Sequence, residues 1–287
     1  MDLFHVAVVS QTSRVPLSKL LVGSAAVQKQ VSRDFKPHWE VDATIDSYAD
    51  LKDVPVGSWS VIIRDDIPFN AAGIHLNNAN GQPFSLVRFS KNWSLTLSHE
   101  ILEMLADPFG NRIKVGDSLM GGQGRVEYLV EVADPSEAAQ FGYTVNGVLV
   151  SDFYTPSFFD PIASTGVRYS FNGKITAPRQ VLEGGYISWR DPISTHVFQL
   201  QVRNGSRDFR DLGALPGGFK SMRAFADRYS SEFRAAVMEE EEPPKPRELL
   251  TAAAFEEVAI EQSLVDQSSA ASADSLQAQI DALLGQG

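Results

Sequence analysis

The first 110 residues alternate between apolar runs of strand length and segments with helical periodicity. Apolar or alternating runs of about four to eight residues are typical of strands, and apolar residues three or four positions apart are typical of helices. The order of these segments, β-α-β-β-β-α, favours a mixed sheet with helices packed on it. Strands are predicted at 4–11, 41–48 and 58–67 and as two short pieces within 71–89, and helices at 17–35 and 92–108.

The segment 111–238 differs, because short β-like runs are separated there by glycines and Asn-Gly pairs. This spacing predicts a β-rich half, and the periodicity of 220–237 predicts a helix at its end. We therefore expect an α+β protein whose body, 1–238, has a sheet-and-helix part (1–110) and a β-rich part (111–238). The runs expected to form strands are YLVEVADP, YTVNGVLVSDFYTP, VRYSFNGKITAP, GGYISW and HVFQLQVRN.

An acidic, proline-rich segment follows the body at 239–248 and is typical of an extended linker. The whole segment 239–287 holds eleven acids and two bases, and helices are predicted in its tail, 249–287, at 249–264 and 274–285. The second helix carries one apolar stripe, formed by Leu276, Ile280, Leu283 and Leu284. This acidic helical tail is either a solvated, frayed end or a tethered helix that docks a protein partner.

Composition excludes several classes of protein. The chain has no cysteine, which excludes disulfides, Cys-ligated zinc, iron–sulfur clusters and thiol nucleophiles. Its formal net charge is −11, so no nucleic-acid partner is expected, because phosphates need cationic side chains. No apolar run reaches the roughly 18–20 residues that span a bilayer, so no membrane partner is expected. The N-terminal segment is typical of a strand rather than a signal peptide, which makes the cytoplasm the expected location.

The helix predicted at 92–108 combines an apolar circumference with one polar stripe. The stripe consists of Thr96, His99, Glu100, Glu103 and Asp107. Carboxylates on a buried helix repel one another and lose hydration, so a compensating positive charge is required. No Lys or Arg occurs between Lys91 and Arg112 or within 126–167. A bound divalent cation would supply that charge, and so would arginines from distant parts of the chain.

The string H-E-x-x-E at 99–103 resembles the H-E-x-x-H helix of the zincin metallopeptidases. With the two strand-like pieces before it, the string indicates a zincin-like mixed sheet with an active-site helix. The phrases LSHEILEMLADPFGNR and YLVEVADP also resemble a group of uncharacterised bacterial and phage-associated zincin-like proteins. The resemblance implies that His99 and position 103 hold zinc and that Glu100 is the general base. Glu103 stands where the family has histidine, and a carboxylate also suits manganese or iron.

A catalytic zinc site needs three protein ligands, so one further ligand is expected downstream. Thermolysin-like members of the family use a glutamate within E-x-x-x-D, and the similar E-x-x-x-E here points to Glu131. Asp134 is the alternative, either as ligand or as the group that orients His99. Tyr154 is the predicted donor to a developing oxyanion, since it follows a strand in acid-only sequence. His75 lies in the predicted edge strand, as a substrate contact or as an ordinary strand residue.

Two functions remain open at this point. The first is a metal-dependent hydrolase that acts on a peptide or protein substrate, with a water held by the metal and activated by Glu100. The second is a catalytically degenerate zincin-fold protein of a structural or cargo type, which docks a partner through its acidic C-terminal tail. Zinc is the expected metal of the first, with manganese or iron as alternatives.

Overall fold

The structure is a computed structural model that describes residues 3–68, 71–217, 221–238 and 269–285. It has α+β architecture, with two five-stranded sheets and one two-stranded hairpin among these residues. No helix in the described part of the chain has the length and apolar character that crossing a bilayer demands.

The first sheet is mixed, as the order of the predicted elements indicated. Its strand order is β2-β1-β3-β5-β4, in which β1, β2, β3 and β5 are parallel and β4 runs antiparallel at one edge. The central strand β3 is buried along most of its length and β1 at Val6–Val9, because both faces of the sheet are covered. The strands are β1 (Leu3–Ser10), β2 (Asp42–Tyr48), β3 (Trp59–Arg64), β4 (Gly73–Asn77) and β5 (Pro83–Arg88).

Helices cover the two faces of this sheet. The helices α1 and α3 contribute to the larger core on one face, and α5 closes the opposite face with a second apolar cluster. A π-helical stretch, Gln30–Phe35, joins α1 to α2, so the helix predicted at 17–35 is confirmed in outline but is not uniform. The helices are α1 (Leu17–Lys29), α2 (Lys36–Trp39), α3 (Trp93–Ala106), α4 (Met222–Met238) and α5 (Ser269–Gly285).

The second sheet is antiparallel, with strand order β12-β11-β10-β7-β6. It confirms the β-rich character predicted for 111–238, although β6 and β12 were not predicted. The hairpin β8–β9 is separate from it. The strands are β6 (Ile113–Asp117), β7 (Arg125–Leu129), β8 (Tyr143–Val145), β9 (Val148–Val150), β10 (Tyr186–Arg190), β11 (His196–Arg203) and β12 (Ser206–Ala214).

The strand predicted at YLVEVADP, 128–135, overlaps β7 only at Tyr128 and Leu129 and is otherwise wrong. The strand predicted at VRYSFNGKITAP, 167–178, is also wrong. This stretch forms a single bridge, between Tyr154 and Ser170, and otherwise follows an irregular path. Its aromatic residues serve packing instead, because Phe171 stacks on Phe153 with ring centroids 5.3 Å apart. The glycine at 173 adopts a φ of 70°, which turns the chain and ends any extended run.

The C-terminal helix α5 buries the apolar stripe seen in the sequence. Ile280 is 0% exposed, and Leu276 and Leu283 are also buried against the first sheet. The helix begins at Ser269, earlier than predicted, because the Ser/Ala segment before 274 joins it. The linker at 239–248 and the helix predicted at 249–264 lie outside the described residues. Docking of a protein partner through the stripe would therefore require α5 to leave the sheet.

Replacing Ile280 with alanine tests whether the packing of α5 against the first sheet stabilises the fold. We expect Ile280→Ala to lower the free energy of unfolding by roughly 2–4 kcal/mol, because a fully buried side chain leaves a cavity. Leu284→Ala, on the same helix but only partly buried, is the matched control and should cost less than about 1 kcal/mol. Urea denaturation measures both. Equal, small losses would show that α5 does not hold the sheet.

Candidate functional site

The helix α3 is buried along nearly its whole length, as its apolar circumference predicted. Its polar stripe is therefore buried as well, and His99, Glu100 and Glu103 are at most 9% exposed. Asp107 ends the helix, and its carboxylate accepts hydrogen bonds from the backbone N–H groups of Asn111 (3.1 Å) and Arg112 (2.8 Å). This last acid of the stripe is thus used to fix the turn that follows α3.

Two residues of the stripe, His99 and Glu103, form a group with Asp134 whose ligand atoms are close enough together to hold a cation. The Nε2 atom of His99 lies 3.4 Å from Oε1 of Glu103 and 3.3 Å from Oδ1 of Asp134. One ligand atom from each residue lies within 4.8 Å of the others. Zinc bonds of about 2.0–2.1 Å in a tetrahedral arrangement separate neighbouring ligand atoms by about 3.3 Å. The spacing at His99 therefore matches two edges of such a tetrahedron.

The segment after β7 delivers Asp134 to this group. Val130, Glu131 and Val132, which follow β7, are all buried. The backbone N–H of Ala133 donates to Oε1 of Glu103 at 3.3 Å, which joins the segment to α3. A short 3₁₀ turn, Asp134–Ser136, then places the Asp134 carboxylate beside His99.

Glu131, the predicted third ligand, contacts an arginine instead. The Nη1 atom of Arg223 donates to Oε2 of Glu131 and, at 3.0 Å, to Oε2 of Glu103. The Nε atom of the same guanidinium lies 3.2 Å from Oδ2 of Asp227, one turn along α4. Glu131 is absent from both His/Asp/Glu groups found among the described residues, whereas its alternative, Asp134, belongs to one of them.

A second group, His75, Glu100 and Glu103, shares Glu103 with the first. His75 comes from β4, and its Nε2 atom lies 3.2 Å from the carbonyl oxygen of Asp107. Its Nδ1 atom lies 4.0 Å from Oε2 of Glu100. Glu100 fits against β4 only because position 73 is glycine, since a Cβ there would overlap the Glu100 carboxylate.

Tyr154 lies beside the same acids. Its ring stacks on Phe158 with centroids 4.2 Å apart, and the residue is 1% exposed. Burial, together with the negative charges of Glu131, Glu103 and Asp134, raises the pKa of the Tyr154 phenol well above 10. The hydroxyl therefore keeps its proton and remains a hydrogen-bond donor.

Four buried polar atoms around the acids make no hydrogen bond within the described part of the chain. Buried polar groups in proteins are nearly always paired, so such a concentration indicates unmet polar bonding around the acids. The atoms are Oε2 of Glu100, Oε1 of Glu131, Nδ1 of His75 and the hydroxyl oxygen of Tyr154.

Protonation follows from burial and from these contacts. Burial opposes the imidazolium form of His99, yet Glu103 and Asp134 raise the pKa of His99 well above its usual value. Burial raises the pKa of Glu100 to about 8, although His99 and Arg223 oppose that rise. Burial also disfavours ionised Glu103, but His99 and Arg223 hold the pKa of Glu103 well below its usual value. Without an ion, the cluster therefore keeps Glu103 ionised and His99 protonated.

No motif or spacing pointed to Arg223, which lies far along the chain from α3. Its segment does show a pattern, because Arg223 and Asp227 are one turn apart beside the apolar residues Met222, Phe225 and Ala226. An i,i+4 ion pair at the edge of an apolar helix face is a weak signal, since most such pairs are solvent-exposed. Only the tertiary structure shows that this pair is buried.

The raised pKa of Glu100 predicts how the metal-free protein responds to pH. Between about pH 4.5 and 8 the folded state keeps a proton on Glu100 that the unfolded state releases, so stability falls as the pH rises. We expect a loss on the order of a few kcal/mol in urea denaturation with a chelator present. Glu100→Gln, which mimics the protonated form, should flatten this fall and be the more stable protein at pH 9.

Asp152→Asn is the matched control. Burial raises the pKa of Asp152 to about 6, so its contribution should end near pH 6. A pH profile of Glu100→Gln that parallels the wild-type profile between pH 6 and 8 would contradict the assignment to Glu100.

Comparison with protein-family models, curated proteins and solved structures finds no match for this chain. The function is therefore argued from the geometry and chemistry of the site.

Proposed function

We propose that the protein is a metal-dependent hydrolase with a zincin-like site, in which His99, Glu103 and Asp134 hold the ion. The observation that carries this proposal is the position of His99 Nε2, 3.4 Å from Glu103 Oε1 and 3.3 Å from Asp134 Oδ1. Asp134 replaces the predicted Glu131 in this ligand set, because Asp134, and not Glu131, lies with His99 and Glu103 in one group of closely spaced ligand atoms among the described residues.

The donor set supports a divalent ion. One imidazole and two carboxylates suit zinc, and the second carboxylate also admits manganese or iron. An ion in this group would replace the proton on His99 and face the carboxylates of Glu103 and Asp134. The unpaired Oε2 of Glu100 and the Tyr154 hydroxyl show that the polar groups of the described chain leave part of the site unsatisfied.

A bound divalent ion supplies Lewis acidity, which lowers the pKa of water and polarises a carbonyl. Glu100 is the proposed general base, because it adjoins His99 on α3 and one of its oxygens accepts no hydrogen bond within the described chain. Tyr154 is the proposed donor to the oxygen that gains negative charge, because its phenol stays protonated. Both groups are held by packing, so neither has to reorganise for the reaction.

Peptide or protein substrates fit the architecture next to the site. Strand β4 lies at the edge of the first sheet and carries His75, which contacts the end of α3. An exposed strand edge can pair with an extended peptide through main-chain hydrogen bonds. Exposure of 9% at His99, against 0% at Glu103 and 1% at Asp134, marks His99 as the most accessible of the three proposed ligands.

Metal content tests the ligand assignment. Full-length protein loaded with Zn²⁺ and freed of excess ion should retain about one ion per chain by elemental analysis. We expect His99→Ala and Asp134→Ala to retain far less, because three ligands become two. Asp152→Asn, which removes a buried carboxylate outside the group, is the control and should retain the ion. Absence of bound metal from the wild-type protein across Zn²⁺, Mn²⁺ and Fe²⁺ would refute the proposal.

Turnover tests the role of Glu100. Glu100→Gln should keep its metal and lose at least about a hundredfold in the rate of casein hydrolysis, because the amide accepts no proton. Gly73→Ala provides a second route to the same result, since its methyl group displaces the Glu100 carboxylate without touching the three ligands. Equal hydrolysis by Glu100→Gln and wild type would remove Glu100 from the mechanism.

A further inference from the structure

The two oxygens of Glu103 have different partners. Oε1 faces His99 Nε2 at 3.4 Å and accepts the Ala133 N–H at 3.3 Å. Oε2 accepts a hydrogen bond from Arg223 Nη1 at 3.0 Å. One oxygen of the carboxylate therefore lies at the proposed ion position and the other contacts the guanidinium. Glu103 itself is 0% exposed.

Arg223 is fixed in this position by further contacts. Its side chain is 6% exposed, and Asp227, on the next turn of α4, accepts from its Nε atom at 3.2 Å. Glu131 accepts from the same Nη1 atom that reaches Glu103. A guanidinium held on three carboxylates has little freedom to swing toward or away from Glu103.

This contact changes what Glu103 can do as a ligand. A free carboxylate can chelate an ion through both oxygens and carries a full negative charge, whereas the histidine of H-E-x-x-H offers one neutral nitrogen. With Oε2 engaged by a cation, Glu103 is restricted to one oxygen, and part of its charge is drawn toward Arg223. Both effects make the glutamate resemble the imidazole that it replaces.

We infer that Arg223 is a positioning residue that restricts Glu103 to a single ligand oxygen and so keeps a coordination position of the ion open for substrate. The inference rests on the proposed function, since it requires an ion at His99, Glu103 and Asp134. Arg223 itself touches neither ion nor substrate and acts through Glu103. Glu131 serves as a second anchor for the guanidinium, which accounts for a buried acid outside the proposed ligand set.

The test uses Co²⁺ bound to the full-length protein, because four-coordinate Co²⁺ absorbs visible light much more strongly than five- or six-coordinate Co²⁺. Arg223→Met combined with Glu131→Gln removes the guanidinium together with the acid that it contacts, so no acid is left facing the missing cation at position 131. Glu131→Gln alone is the matched control, because it leaves the Arg223–Glu103 contact in place.

We expect the visible absorption of saturated Co²⁺ protein to fall by about half or more in the double variant, because Glu103 then binds through both oxygens. The Glu131→Gln control should keep the wild-type band. An unchanged band in the double variant, even with weaker Co²⁺ affinity, would give Arg223 a structural role only and overturn the inference. Wild-type protein that takes up no Co²⁺ would instead overturn the proposed function.

Arg223→Lys decides the question should circular dichroism show that the double variant is unfolded. The ammonium is a single point donor that does not reproduce the fork of contacts to Glu103, Glu131 and Asp227, so the constraint on Glu103 weakens. We expect the Co²⁺ band of this variant to fall below the wild-type band. A band equal to wild type would contradict the inference.

Discussion

The guanidinium of Arg223 stands among acids that would otherwise be buried without compensation. Burial of an ionised carboxylate is costly unless a partner charge and hydrogen bonds offset the lost hydration. Arg223 supplies a partner charge and hydrogen bonds to Glu103, Glu131 and Asp227. Its contact with Glu103 also links α4 to α3. The imidazolium of His99 adds a second positive charge to the cluster, whose buried acids are Glu100, Glu103, Asp107, Glu131, Asp134 and Asp227.

The rest of the fold holds these groups at fixed distances. The mixed sheet supports α3 from below and brings His75 from its antiparallel edge strand to the end of that helix. The antiparallel sheet supports the segment after β7, from which Asp134 reaches His99. Because each contributor belongs to a buried element, the spacing of the His99, Glu103 and Asp134 side chains is a property of the packed core. Rigid support of this kind is what the proposed metal site requires.

The sequence predicted the elements better than it predicted the contacts between them. Apolar alternation located β1, β2 and β3, and the polar stripe of α3 correctly singled out His99, Glu100 and Glu103 as buried neighbours. The choice between Glu131 and Asp134 depends on a turn after β7 that places residues three positions apart on different partners, and motif spacing does not encode it. The role of Arg223 could not be predicted from the sequence, because long-range charge pairing leaves no local periodicity.

The acids of the buried cluster are synthesised well before Arg223, because Arg223 lies late in the chain. Arg223 follows Asp134 by 89 residues, so a ribosome working at about 5–20 residues per second exposes the acids roughly 4–18 s before their guanidinium partner exists. The helix α4, which carries Arg223, is the last described element of the body to be synthesised. The acids therefore gain their guanidinium partner only when the body is nearly complete.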